Sequence, residues 1–134
     1  MYELSLWSIL GSALSSVVLA FIWYNPKVFG TAWMRLSNIS PEAAERGKRR
    51  MPIMAFFAFL ASMIVAYVMT HFGIAWGVFD WIGGFELGFW LWLGFAAPVL
   101  LGSVLWEGKS FKLYAINAGY WLISLILMGV ILSF

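Results

Sequence analysis

Four apolar stretches, each about 20 residues long and bounded by charge, leave this chain few ways to fold. Leu4 to Tyr24 lies between Glu3 and Lys27, and Met51 to Thr70 between Arg50 and His71. Leu87 to Trp106 lies between Glu86 and Glu107, and Leu113 to Phe134 follows Lys112. A helix of that length, at ~1.5 Å per residue, crosses a hydrocarbon layer ~30 Å thick. Lipid offers no water to a backbone, so each crossing segment must satisfy its own hydrogen bonds. The composition agrees: 63% hydrophobic and 10% charged residues cannot cover a water-soluble domain. The expected fold is an all-α integral membrane bundle of four transmembrane helices, one domain over residues 1–134. The spans are expected at about 4–24, 51–71, 84–106 and 113–133. The first is read as a mature span, because Glu3 stands where a signal peptide carries basic residues and Trp23-Tyr24 resembles an interfacial anchor. With no cysteine, disulfides and thiolate ligands are excluded.

The cations set the expected orientation. Lys27, Arg35, Arg46, Lys48, Arg49 and Arg50 lie between spans one and two, and Lys109 and Lys112 between spans three and four. Cytoplasmic loops carry the excess of Lys and Arg. The sequence therefore places both basic loops in the cytoplasm and both termini outside the cell (inner) membrane.

Within the cytoplasmic loop, residues 25–50, the stretch WYNPKVFGTAWMRL is too aromatic for a solvated loop and too charged for a span. Asn25-Pro26 stops span one and offers a helix start, with Asn25 as N-cap and Pro26 at the first helical position. Val28, Phe29, Ala32, Trp33 and Leu36 then recur at helical spacing, with Lys27, Thr31 and Arg35 on another face. This predicts a short amphipathic helix, about 26–37, lying in the interface with its cations toward lipid phosphates. Ser40-Pro41-Glu42 looks like a second helix start, weakened at Gly47.

Trp23-Tyr24-x-Pro26-x-x-Phe29-Gly30-x-x-Trp33 resembles the pattern of an uncharacterised family of small membrane proteins, domain of unknown function 1761. Trp106-Glu107-Gly108-Lys109-Ser110 and the pair Asn117 and Tyr120 are similar to it as well. The resemblance covers most of the chain. It implies a four-helix membrane protein and carries no established activity.

Small residues recur four apart: Ser12, Ser16 and Ala20; Ala58, Ser62 and Ala66; Gly94, Pro98 and Gly102, with Gly84 and Gly88; Ala115 and Gly119. Such stripes let helices approach closely in lipid. Pro98 predicts a kink in span three. No ionisable residue has to sit in the hydrocarbon core, since Glu86 and Glu107 can both reach an interface. Asn117 is different: it lies about 7.5 Å past Lys112 into span four, and its amide needs a partner. Tyr120 and Ser124 continue its stripe. Helix–helix glue is favoured there over a cytoplasmic-side pocket built from Trp23, Tyr24, Pro26, Phe29, Gly30, Trp33, Trp106, Glu107, Asn117 and Tyr120. On the outer side His71, Asp80 and Glu86 are the candidate polar residues, but their spacing matches no metal-ligand motif.

The chain has no nucleophile–base pair, metal-ligand cluster, phosphate loop or nucleic-acid motif. It is read as a non-enzyme without cofactor or bound metal. Its expected partners are membrane lipids and either further copies of itself or another membrane protein, not nucleic acid. The alternative is a small oligomeric transporter or channel using the cytoplasmic-side polar site.

Overall fold

The computed structural model describes residues 2–134, and among these the secondary structure is entirely helical. Its helices are α1 (Leu6–Trp23), α2 (Gly30–Leu36), α3 (Pro41–Ala75), α4 (Trp81–Leu105) and α5 (Phe111–Leu132). All but α2 are long and apolar enough to cross a membrane. Each of these four begins at a side chain that accepts from an otherwise orphaned backbone N–H. Ser5 accepts from Ser8, Ser40 from Ala43, Asp80 from Gly83 and Ser110 from Leu113.

The helices pack in the spatial order α3, α1, α5, α4. α5 lies between α1 and α4 and is the most buried of the four. α3 packs on the far side of α1 and barely meets α4. The α4–α5 contact is the closest. Gly84 and Gly88 of α4 lie directly on the α5 backbone at Gly129 and at Leu125–Ile126. The anticipated Gly84/Gly88 stripe therefore packs, and Gly129, which lies outside the expected stripes, meets it at Gly84. Ala58 and Ala115 are exposed, and Gly94 has open space beside it, so those parts of the expected stripes do not mediate packing.

Three segments differ from the sequence expectation. α3 is one 35-residue helix, running unbroken through Gly47 and Pro52 from the Ser40 cap. A glycine costs a helix only about 1 kcal/mol relative to alanine. Pro52 removes one N–H near the charged end, where water can serve the freed carbonyl. The short helix starts at Gly30, not at Pro26. Asn25 does not cap it: its Oδ1 accepts from Lys27 N (2.9 Å), and its carbonyl from Val28 N and Gly30 N. These bonds close a local turn that competes with helix at this residue type. In span three the disturbance at Pro98 spreads backward as a π-helical segment, Trp92–Ala96. There Ala97 N bonds to the Trp92 carbonyl, a wide turn that eases the clash a proline imposes on the preceding turn. The Tyr114 hydroxyl of α5 donates to the Ala97 carbonyl at 2.9 Å.

Tyr2 is a core residue that the apolar patterning does not single out. Its ring covers Gly73 of α3, and its hydroxyl donates to the Gly129 carbonyl. Burial pushes the hydroxyl pKa up, so it remains a donor.

Candidate functional site

The residues of the W-Y-x-P-x-x-F-G-x-x-W motif converge where α1 ends. Trp23 Nε1 donates to the Ile116 carbonyl of α5 at 2.9 Å, and the Tyr24 hydroxyl donates to Asn117 Oδ1 at 2.7 Å. The turn at Asn25 then folds the chain back. It brings Phe29 to 4.7 Å from the Trp23 ring and Trp33 edge-on to Tyr24 at 5.7 Å. Gly30 is buried against the Tyr24 carbonyl, where any Cβ would collide with backbone. Tyr24 also lies 5.6 Å from Tyr120. Pro26 is exposed on the turn itself, and its carbonyl accepts from Thr31 Oγ1.

The polar stripe of α5 continues inward. The Tyr120 hydroxyl donates to the Ser16 carbonyl (2.8 Å) and lies 3.0 Å from Ser16 Oγ, which is 2.8 Å from Ser124 Oγ. Ser16, Tyr120 and Ser124 are all buried. Among the described residues, Ser12 Oγ alone is a buried side-chain polar atom without a hydrogen-bond partner. Asn117 thus finds its partner in a tyrosine after span one, while the serine of span one serves Tyr120.

Trp106 and Glu107 do not join this cluster, and Trp106 is 86% exposed. The packing order explains the separation: α1 and α4 lie on different sides of α5, and Asn117 faces α1. The α4 side is served instead by Trp92, whose Nε1 donates to the Ala118 carbonyl at 2.8 Å. Tryptophan at this depth suggests a lipid-facing ring or a protomer contact, and sequence spacing carries no sign of this bond to a backbone carbonyl.

The Tyr24–Asn117 bond ties the motif to α5. Tyr24→Phe should lower bundle stability by about 1 kcal/mol, the scale of an interhelical hydrogen bond in a membrane protein. A double-mutant cycle with Asn117→Ala, measured by SDS titration in mixed micelles, should return most of that value as coupling.

Two cavities lie elsewhere. An apolar cleft of about 560 Å³ separates α3 from α4, lined by residues that include Ile64, Val68, Phe72, Phe95, Val99 and Trp121. A smaller pocket of about 260 Å³ opens at the α3–α4 connection, where Trp76, Phe79, Asp80, Glu86 and Trp90 meet. His71 does not line it: its ring stands edge-on to Tyr67 at 4.7 Å. Among the described residues no three His, Cys, Asp or Glu side chains group as a metal site.

The family described as Protein of unknown function (DUF1761) matches the chain over residues 7–133. No curated protein and no solved structure matches it.

Proposed function

The chain belongs to the DUF1761 family, and from that premise we propose that it is a non-enzymatic membrane bundle that associates with a second copy of itself. The observation that carries this reading is the incomplete closure of the bundle between α3 and α4. Helices in lipid associate through close packing and through the entropy that lipid gains on release. An acyl chain confined in the cleft loses freedom, whereas a helix of a second copy is already ordered. One wall of the cleft belongs to α3, which also exposes Phe57, Leu60 and Ile64. A two-fold pairing of α3 with α3 therefore lets each copy fill the other's cleft, an isologous contact that closes on itself. In this arrangement α2 lies along the membrane surface beside the motif, Arg35 outward. The cytoplasmic face carries the basic loops and both termini lie on the opposite side.

The transporter reading would run a path past Asn117, Tyr120 and the serines. Their bonds to Tyr24, Ser16 and Ser124 support a role in holding α1 to α5 instead.

Because the chain has no cysteine, single cysteines report cleanly on neighbours. Ile64→Cys and Val68→Cys should form disulfide-linked dimers on mild oxidation in native membranes. Trp7→Cys, on the exposed face of α1, should remain monomeric. Monomers at every α3 position, with monomers in native mass spectra from nanodiscs, would refute self-association.

A further inference from the structure

The two ends of the bundle differ sharply in charge. All eight Lys and Arg side chains belong to the α1–α3 and α4–α5 connections or the helix ends beside them, which the antiparallel packing puts at one end. The opposite end carries Glu3, Asp80 and Glu86 and no Lys or Arg. Among the described residues the ion pairing is confined to Lys48 and Glu45 at the basic end, so Asp80 and Glu86 face no cationic side chain.

Asp80 and Glu86 share the pocket of about 260 Å³ with Trp76, Phe79 and Trp90. The pocket is built by the turn after α3. Gly77, at φ +70°, reverses the chain, and Val78 N bonds back to the Gly73 carbonyl at 2.9 Å. That reversal sets Trp76 opposite the first turns of α4. Gly83, Glu86 and Trp90 follow at helical spacing along one face of α4, and at Gly83 the Val78 side chain and the Asp80 carboxylate close in to form the floor. One Asp80 oxygen is committed to Gly83 N at 2.8 Å. The helix N-terminus, worth roughly half a positive charge, offsets part of the Asp80 charge and leaves Glu86 as the main electrostatic term.

We propose that this pocket binds a quaternary ammonium ion, its alkyl groups against Trp76, Phe79 and Trp90 and its charge against Glu86 and Asp80. Aromatic faces attract such cations through their quadrupoles. A hard metal ion fits poorly, since indole walls cannot replace the oxygen ligands it would give up. The cation arrives either free or as the headgroup of a choline lipid. The pocket favours a free ion, because a headgroup phosphate would stand beside two carboxylates with no Lys or Arg at that end to balance it. This site is separate from the α3–α4 cleft and stands or falls independently of dimerisation.

The test is calorimetric titration of tetramethylammonium chloride into the full chain in phosphatidylglycerol nanodiscs, with sodium chloride at equal ionic strength as reference. Saturable binding is expected for tetramethylammonium and not for sodium. Glu86→Gln and Trp90→Leu should each weaken it by roughly tenfold. Asp80→Asn should weaken it less, since asparagine retains the helix cap. Trp7→Leu, an exposed tryptophan outside the pocket, should leave it unchanged. Should Trp90→Leu fail to fold, Trp76→Leu in the exposed turn serves the same purpose. Wild-type affinity in folded Glu86→Gln, or equal heats from sodium, would overturn the proposal. Repeating the titration in phosphatidylcholine nanodiscs separates the two sources. Unchanged binding identifies a free cation, and binding abolished by the lipid identifies its headgroup.

Discussion

Gly88→Leu should cost the bundle about 3 kcal/mol or more, at or above the top of the usual overpacking range, and separate α4 from α5. A Cβ at residue 88 would enter the space of the Leu125 carbonyl and the Ile126 backbone. Main-chain atoms cannot rotate aside as a side chain can, so the two helices must part. Parting them also removes the contact at Gly84, whose own Cβ would strike Gly129. Denaturation by SDS titration, followed by circular dichroism, measures the loss. Gly11→Ala is the control: nothing lies within reach of a Cβ there, and the better helix former should raise stability by about 0.5–1 kcal/mol.

Tyr2→Ala should produce the second large effect, a loss of about 3 kcal/mol, because it empties a buried site the size of an aromatic ring. Tyr2→Phe keeps the ring over Gly73 and removes only the bond to the Gly129 carbonyl, so about 1 kcal/mol is expected. Both changes act on the residue that meets Gly84. Tyr2→Ala combined with Gly84→Ala should therefore cost less than the two separately, since neighbours that share a contact are coupled. The same SDS titrations read all four variants.

The four apolar helices were legible because charge brackets them and because runs of about 20 apolar residues suit a helix rather than a barrel strand. The ends were less so. Gly47 reads as a weak point and Met51 as the start of a separate span, yet the helix runs through both, since one glycine and the lost N–H of Pro52 near the charged end are within what it can absorb. Asn25-Pro26 carries two incompatible signals, an N-cap and an Asx turn, and the turn prevails because Gly30 must come down onto the Tyr24 carbonyl. The motif residues were legible as a group, but their separation from Trp106 and Glu107 was not. Spacing places all of them at one end of the bundle without saying on which side of α5 each helix packs. Tyr2 carried no signal at all, being a single aromatic ahead of the first apolar run. Gly129 was hidden for a related reason: a glycine opposite another glycine is visible only once the register between two helices is known.

The wide turn at Trp92–Ala96 works as a phase shifter. Each residue of an α-helix advances the side-chain direction by about 100°, so one extra residue in a turn rotates everything beyond it by that angle. Ahead of the shift, Gly84, Leu87, Gly88 and Leu91 form one strip against α5, and uninterrupted α-helix would carry that strip on to Phe95 and Pro98. Instead Ala96 and Ala97 take the inner positions, and Phe95 swings outward, 68% exposed, to within 6.4 Å of the Phe72 ring. A single transmembrane segment thereby grips its neighbour along one meridian and offers a second, differently aimed meridian to whatever occupies the space beyond, with no loop spent on the change of heading.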